Sequence, residues 1–309
     1  MKLGWKNYLF YSSVVLVVGG LIYILVETIN RKNTGFETKT LWDWMDLLIV
    51  PLVLAGGAFF LNRSERKTER EIATDRQQDV ALQTYFDRMS ELLLKEKLRT
   101  TKKAEVRDVA RTRTLSIMRV LDTKRNNIII QFLREAELVT NNKSILIKAN
   151  MRGMNLQGLN LGYLNLDGAD LENADLQRAY LGHASLQRAN LYYANLQNAS
   201  LLGANLRGAE LFDANLQNAF LKNANLQDAN LGCANMRCAY LNGANMRCTD
   251  LRGVNLKSAE LQDADLAGAN LFVDDFDMDL FNVTNITKKQ LAKVKSLKGA
   301  TMLDGAIHE

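Results

Sequence analysis

Between Ala149 and Val273 apolar and polar positions recur with a period of five, held through twenty-five units without insertion or deletion. The third position of each unit is Leu in twenty-two units and Met in three (Met151, Met236, Met246), and the first is Ala in twenty. The second is usually Asn or Asp. Five matches neither the 3.6-residue period of a helix nor the two-residue period of a strand. Within a unit, the first and third residues lie two apart, as inward-pointing neighbours on a short strand do. The pattern predicts a chain that turns a corner once per unit and winds about an axis, stacking Ala and Leu at every level.

Upstream the pattern changes twice. Tyr8 to Val26 is nineteen residues without a charge, enough for a helix to span about 30 Å of hydrocarbon. A cleaved leader would want a small-x-small site, which Val26-Glu27-Thr28 lacks, so a retained anchor is expected. Leu47 to Leu61 is uncharged for fifteen residues and includes Pro51. Trp42 and Trp44 flank it on one side, Arg63 and Arg66 on the other, which predicts a second, short span. Ala55-Gly56-Gly57-Ala58 would let the two spans pack as a hairpin. The lipid bilayer is thus an expected partner, through residues 8–26 and 47–61. Lys2, Lys6 and the five Lys/Arg of residues 62–81 outweigh Arg31, Lys32 and Lys39 between the spans. That imbalance places the N-terminus and the repeats on the cytoplasmic side of a plasma, inner or thylakoid membrane.

Residues 64–100 read as one charged helix with an apolar stripe of Leu82, Phe86, Met89 and Leu93. Val106, Val109, Ile117 and Leu121 mark a second helix, and Asp122 or Thr123 caps a third through Ile128 to Leu138. Two readings stay open: a packing domain that covers the start of the winding, or a coiled coil that makes the chain a homodimer. Two heptads are too few for a coiled coil, so a helical cap is favoured, with dimerisation left possible. At the far end Phe276, Leu280, Phe281 and Val283 offer apolar cover, and Thr287 is the N-cap of a helix through Ser296. The domains expected are a membrane anchor at 1–62, a helical linker and N-terminal cap at 63–143, the repeats at 144–275 and a C-terminal cap at 276–309.

Charge sharpens this picture. The chain carries a formal net charge of +5, but residues 62–148 hold twenty Lys/Arg against thirteen Asp/Glu, and residues 149–273 hold nine against eleven. Arg107, Arg111, Arg113, Arg119, Lys124 and Arg125 are interleaved with acids and lack aromatic partners, so nucleic acid is not an expected partner; anionic headgroups or a solvated helix face suit them better. Cys233, Cys238 and Cys248 occupy the fifth position of their units, on different sides of the winding, which excludes an intrachain disulfide or a shared metal. Two histidines, His183 and His308, no phosphate loop and no nucleophile elbow argue against an enzyme and against a cofactor. The pairs Asp274/Asp275 and Asp277/Asp279 read as solvated.

Units such as Ala194-Asn195-Leu196-Gln197-Asn198 and Ala224-Asn225-Leu226-Gln227-Asp228 match the pattern A-(D/N)-L-x-x and resemble the pentapeptide-repeat family. The likeness covers 125 contiguous residues. It implies a right-handed quadrilateral β-helix with four units per coil, Leu and the preceding Ala pointing inward, preceded here by a two-helix transmembrane hairpin and a helical cap. Leu48-Ile49-Val50-Pro51-Leu52, the stretch from Asp75-Arg76-Gln77-Gln78 to Leu94, and the ending Leu297 to Met302 resemble a membrane-anchored branch common in cyanobacteria. Leu303 stands where that branch is expected to have Pro. The branch implies a location and no activity.

Four units per coil place residues twenty apart in columns. Asn155, Asp175, Asn195, Asn215, Asn235 and Asn255 form one polar ladder; Asn165, Ser185, Asn205, Asn225, Asn245 and Asp265 form another. A third column breaks the rule with Tyr180, Phe220 and Tyr240, and on the opposite side Tyr192 lies below Phe212 with Tyr193 beside them. A line of aromatics on a polar rod predicts an interaction surface for a protein partner not named by the sequence. Some pentapeptide-repeat proteins are acidic rods that imitate a DNA duplex and act on type II topoisomerases. Such mimicry needs dense negative charge, and these repeats have nine positive against eleven negative residues, a net of −2. The sequence reading is therefore a membrane-tethered scaffold that presents a rigid β-helix for protein–protein interaction, without catalytic activity.

Overall fold

A computed structural model describes residues 41–140, 142–271, 286–302 and 307–308. The expected span at 8–26 and the expected cover from Phe276, Leu280, Phe281 and Val283 lie outside the described residues. The chain divides into two units, residues 1–74 and 75–309.

Helix α1 is a single helix, Leu41–Leu94. It passes through 47–61 and the charged stretch without a break, where the sequence pattern suggested a short span followed by a separate helix. No Pro or Gly separates Leu61 from Glu65, so nothing stops the helix from propagating. Among the described residues no helix is long and apolar enough to cross a membrane, and the two-helix hairpin is not supported. The helix ends where Lys97 takes φ 49° and the Leu98 N–H reaches back to the Leu92 carbonyl at 3.2 Å, a left-handed stop that satisfies a terminal carbonyl.

In the second unit the end of α1 buries Leu82, Tyr85, Met89 and Leu92. It packs with α2 (Ala104–Met118) and α3 (Thr123–Glu135). The buried face of α2 is Ala110, Thr114, Leu115 and Met118, and Val109 is 41% exposed. The apolar stripe through Val109 thus misplaced that face. A threonine enters the core because its hydroxyl donates to the Ala110 carbonyl at 2.8 Å and lies 3.0 Å from the Tyr85 hydroxyl, which removes the cost of burying it. Asp122 is the N-cap of α3 and accepts from the Arg125 N–H at 2.8 Å. Ile129, Ile130 and Leu133 face the core, while Ile128 is turned outward.

From Asn150 to Asp250 the second residue of each repeat forms a parallel bridge with the residue twenty further on, so the stacking reaches Asn270. The central Leu or Met and the residue two before it are buried throughout. The corner is a turn closed by the N–H of one unit's first residue on the central carbonyl of the unit before, as in Ala199 to Leu196 at 3.0 Å. The fifth residue sits at positive φ in every unit from Gly153 to Gly268. Arg178, His183 and Tyr193 do so at 56°, 56° and 58°, a conformation that costs a non-glycine residue about 1–2 kcal/mol and is held by the stacked coils. Asn suits the second position because its carbonyl oxygen accepts the N–H two residues on, as Asn215 does from Gln217 at 3.2 Å. Its amide also donates down the column, Asn215 to Asn195 at 3.2 Å and Asn235 to Asn215 at 3.3 Å. The predicted ladders are present.

Both ends are covered by specific bonds. At the start, Arg119 donates to the Asn150 carbonyl at 3.0 Å and Arg134 to the Gly162 carbonyl at 3.0 Å. Asn127 accepts the Asn160 N–H at 2.9 Å and Ser144 donates to the Asn165 carbonyl at 2.8 Å. These atoms belong to the first coil, which has no coil beneath it to pair with. At the finish, α4 spans only Lys288–Leu291, with a Thr287/Gln290 capping box. The expected helix to Ser296 is cut short because the chain rejoins the winding: Ser296 bridges Asp265 and Thr301 bridges Asn270. Ile307 then pairs antiparallel with Thr301.

Candidate interaction surface

The inward Ala–Leu pairs fix every second-position side chain on an outer face, so residues twenty apart in sequence become neighbours one rung apart, about 4.8 Å. On three faces those residues are mainly Asn and Asp. The face of Asn160, Tyr180, Ser200, Phe220, Tyr240 and Glu260 is the exception.

Phe220 and Tyr240 stack with ring centroids 4.8 Å apart and planes within 2°, and they are 47% and 37% exposed. Tyr180 does not join them, since Ser200 occupies the rung between. Its ring lies instead over two glycines of its own face: a Cβ at Gly182 would fall 2.6 Å from the Tyr180 hydroxyl oxygen, and one at Gly162 would strike the same ring. The predicted line of three is thus a stacked pair and a separate flat plate. Leu202, 39% exposed, lies on this face eighteen residues before Phe220, the diagonal register that joins Gln157 to Asp175. The sequence reading missed it because a second apolar residue after the central Leu looks like part of the core run. It also missed Tyr163 stacked on His183 at 5.1 Å and 21°. Both are fifth-position residues, and the columns followed along the sequence were chiefly those of the second position.

On the opposite face Tyr192 and Phe212 do meet, edge to face at 6.0 Å, and Tyr193 lies 6.3 Å from Tyr192. Partial burial, followed by the neighbouring Glu210 carboxylate, pushes the Tyr192 phenol above its ordinary range. The hydroxyl donates to Glu210 at 3.3 Å. Cys233 is raised too, by burial and then by Asp213 and Asp250, which makes it a poorer thiolate.

The basic helices are occupied with structural work. Arg125, 8% exposed at its side chain, contacts Asp75, Asp79 and Asp122 at 2.5, 2.7 and 2.5 Å. Arg111 donates to Asp108 and to the Ile145 carbonyl at 2.7 Å each. With Arg119 and Arg134 closing the first coil, these guanidiniums hold this unit together and form no free stripe. Among the described residues no group of three or more His, Cys, Asp or Glu is placed to hold a metal.

The sequence profile described as Pentapeptide repeats matches residues 142–173, 169–208, 204–237 and 234–271. The chain belongs to the pentapeptide-repeat family, and its winding is that family's right-handed β-helix. The match is confined to the repeats and does not bear on a membrane-anchored branch. Similar solved structures include a trypsin-treated variant of QnrB1, a plasmid-mediated fluoroquinolone resistance protein. It is 22% identical over 40% of this chain and 62% of that one, with a TM-score of 0.35. HetL, a pentapeptide repeat protein involved in heterocyst differentiation regulation in the cyanobacterium Nostoc sp. strain PCC 7120, is 24% identical over 58% of this chain and 98% of that one, TM-score 0.21. A further pentapeptide repeat protein from Nostoc is 31% identical over 36% of this chain and 82% of that one, TM-score 0.29. A comparison with curated proteins finds no match.

Proposed function

We propose that this pentapeptide-repeat protein is a membrane-tethered scaffold whose rigid β-helix offers the Phe220/Tyr240 face to a protein partner. One observation carries the docking reading: a stacked aromatic pair, flanked by Leu202 and Tyr180, lies exposed on a winding whose other columns are mainly polar. An apolar strip on a rigid polar support is a common form of contact surface. The second aromatic group, Tyr192 and Phe212, is held partly inward by the Glu210 bond and is the lesser candidate. The tether rests on the uncharged run 8–26; the segment 47–61 would lie at or in the same bilayer, with the repeats on the cytoplasmic side. The balance of nine positive against eleven negative residues over 149–273 gives no reason to prefer duplex mimicry.

Two assays test the two halves separately. Membrane fractionation with a carbonate wash should leave the full chain in the pellet and release a form lacking residues 1–62; a full chain released by carbonate contradicts the tether. A mild-detergent pull-down should lose a co-purifying protein, or a second copy of the chain, when Tyr180, Phe220 and Tyr240 are all changed to Ser. Identical complexes from both forms would contradict the docking face.

A further inference from the structure

Above Tyr240 the aromatic column continues to Glu260, its bridge partner one rung on. Glu260 is a wall of a cavity of about 780 Å3 between the last full coil and the C-terminal segment. Three lysines line that cavity: Lys257 from the coil, Lys289 from α4 and Lys293 just after it. Among the described residues none of the three forms an ion pair. Three lysines against one glutamate leave a net of two positive charges at one opening, and a concave site of one sign concentrates anions. The Gln290 amide donates to the Leu256 and Ala259 carbonyls at 3.0 Å each. That clamp fixes the segment carrying Lys289 and Lys293 against the coil.

We propose that the partner of this face is an acidic peptide segment. An apolar side chain of that segment rests on the exposed edges of Phe220 and Tyr240, and its carboxylates enter the cavity beside Lys257, Lys289 and Lys293. The inference depends on the docking reading above and adds the chemistry of the partner. Stacked aromatics beside lysines could also suggest a single-stranded nucleic acid, but a base needs a free ring face. The parallel contact at 4.8 Å closes the facing sides of these two rings to an inserted base, whereas their edges remain open to a side chain.

The test is fluorescence anisotropy on the full chain in mild detergent, with a labelled Glu-Glu-Glu-Trp-Glu-Glu-Glu peptide as probe. The controls are its Lys counterpart, a version with Gly for Trp, and a single-stranded thymidine oligomer. Two variants at exposed positions are compared: Lys257→Gln, Lys289→Gln, Lys293→Gln together, and Phe220→Ser with Tyr240→Ser. The acidic peptide should bind, lose about tenfold or more in affinity in either variant, and weaken as salt rises. Failure of the acidic peptide to bind, or binding indifferent to the lysine changes, overturns the proposal, as does preferential binding of the oligomer. Binding that appears only after Asp274, Asp275, Asp277 and Asp279 are changed to Asn also overturns it, because the chain's own carboxylates would then take the place given to a partner. A cellular partner that is lost with Phe220 and Tyr240 but kept in the lysine variant would leave the docking face standing and remove the acidic segment.

Discussion

Arg134 on α3 donates to the carbonyl of Gly162 at 3.0 Å, and the ring of Tyr180 lies over that same glycine. One bare residue in the first coil therefore serves the helical cap with its carbonyl and the outer face with its missing side chain. The cap and the candidate surface meet at this point.

Gly182→Ala tests that arrangement. The new methyl would meet the far end of the Tyr180 side chain, which can swing aside, so the expected stability loss is small, about 1 kcal/mol. The ring should lift off the face. Nitration of Tyr180 should become faster while urea unfolding changes little, and unchanged nitration would contradict the packing described.

The end bonds should hold the first coil locally. Asn127→Ala removes the acceptor for the exposed Asn160 N–H, which water can replace, so the cost is the net worth of one hydrogen bond, about 0.5–1.5 kcal/mol. Hydrogen exchange should show the Asn160 amide losing protection first, with coils around Asn215 unaffected. Uniform loss along the whole winding would mean that the coils do not depend on this cap locally.

Acid should loosen the helical unit. The Arg125 N–H, followed by the Arg125 guanidinium, holds the Asp122 carboxyl below its ordinary value of 3.8. A lowered folded pKa means that this contribution is present above the unfolded value and is lost as pH falls through the folded one. Unfolding midpoints should therefore drop below about pH 4, and Asp122→Asn should flatten that part of the curve. An equally steep curve for the variant would place the acid sensitivity elsewhere.

Leu196→Ala should cost about 2–5 kcal/mol, since the side chain is fully buried and its stacked neighbours cannot collapse far. Gln197→Ala, one residue on, should stay within about 0.5 kcal/mol. Thermal melts of the two variants measure the contrast.

Much of the winding could be read before any coordinates. A period of five with Leu and Ala at fixed places admits few geometries, and twenty-apart stacking placed the Asn ladders and the Phe220–Tyr240 pair correctly. The chain's return to the winding at Ser296 and Thr301 was not legible, because 31 rather than 20 residues separate them from Asp265 and Asn270 and the units there lose the Asn-Leu signature. The work of Arg119, Arg125 and Arg134 was equally hidden. A guanidinium that closes a coil end looks in sequence like one on a solvated face, and only carbonyl positions tell them apart. Tyr180 was grouped with Phe220 because column membership says nothing about which way a ring leans.

The most direct test of the docking face is quantitative co-purification from the native host with Phe220→Ser and Tyr240→Ser, alongside a Tyr192→Ser control and a melt of each variant. The account predicts unchanged melting within about 1 kcal/mol for exposed positions and loss of one specific partner in the Phe220/Tyr240 variant alone. A partner retained at wild-type level by a folded Phe220/Tyr240 variant would contradict it.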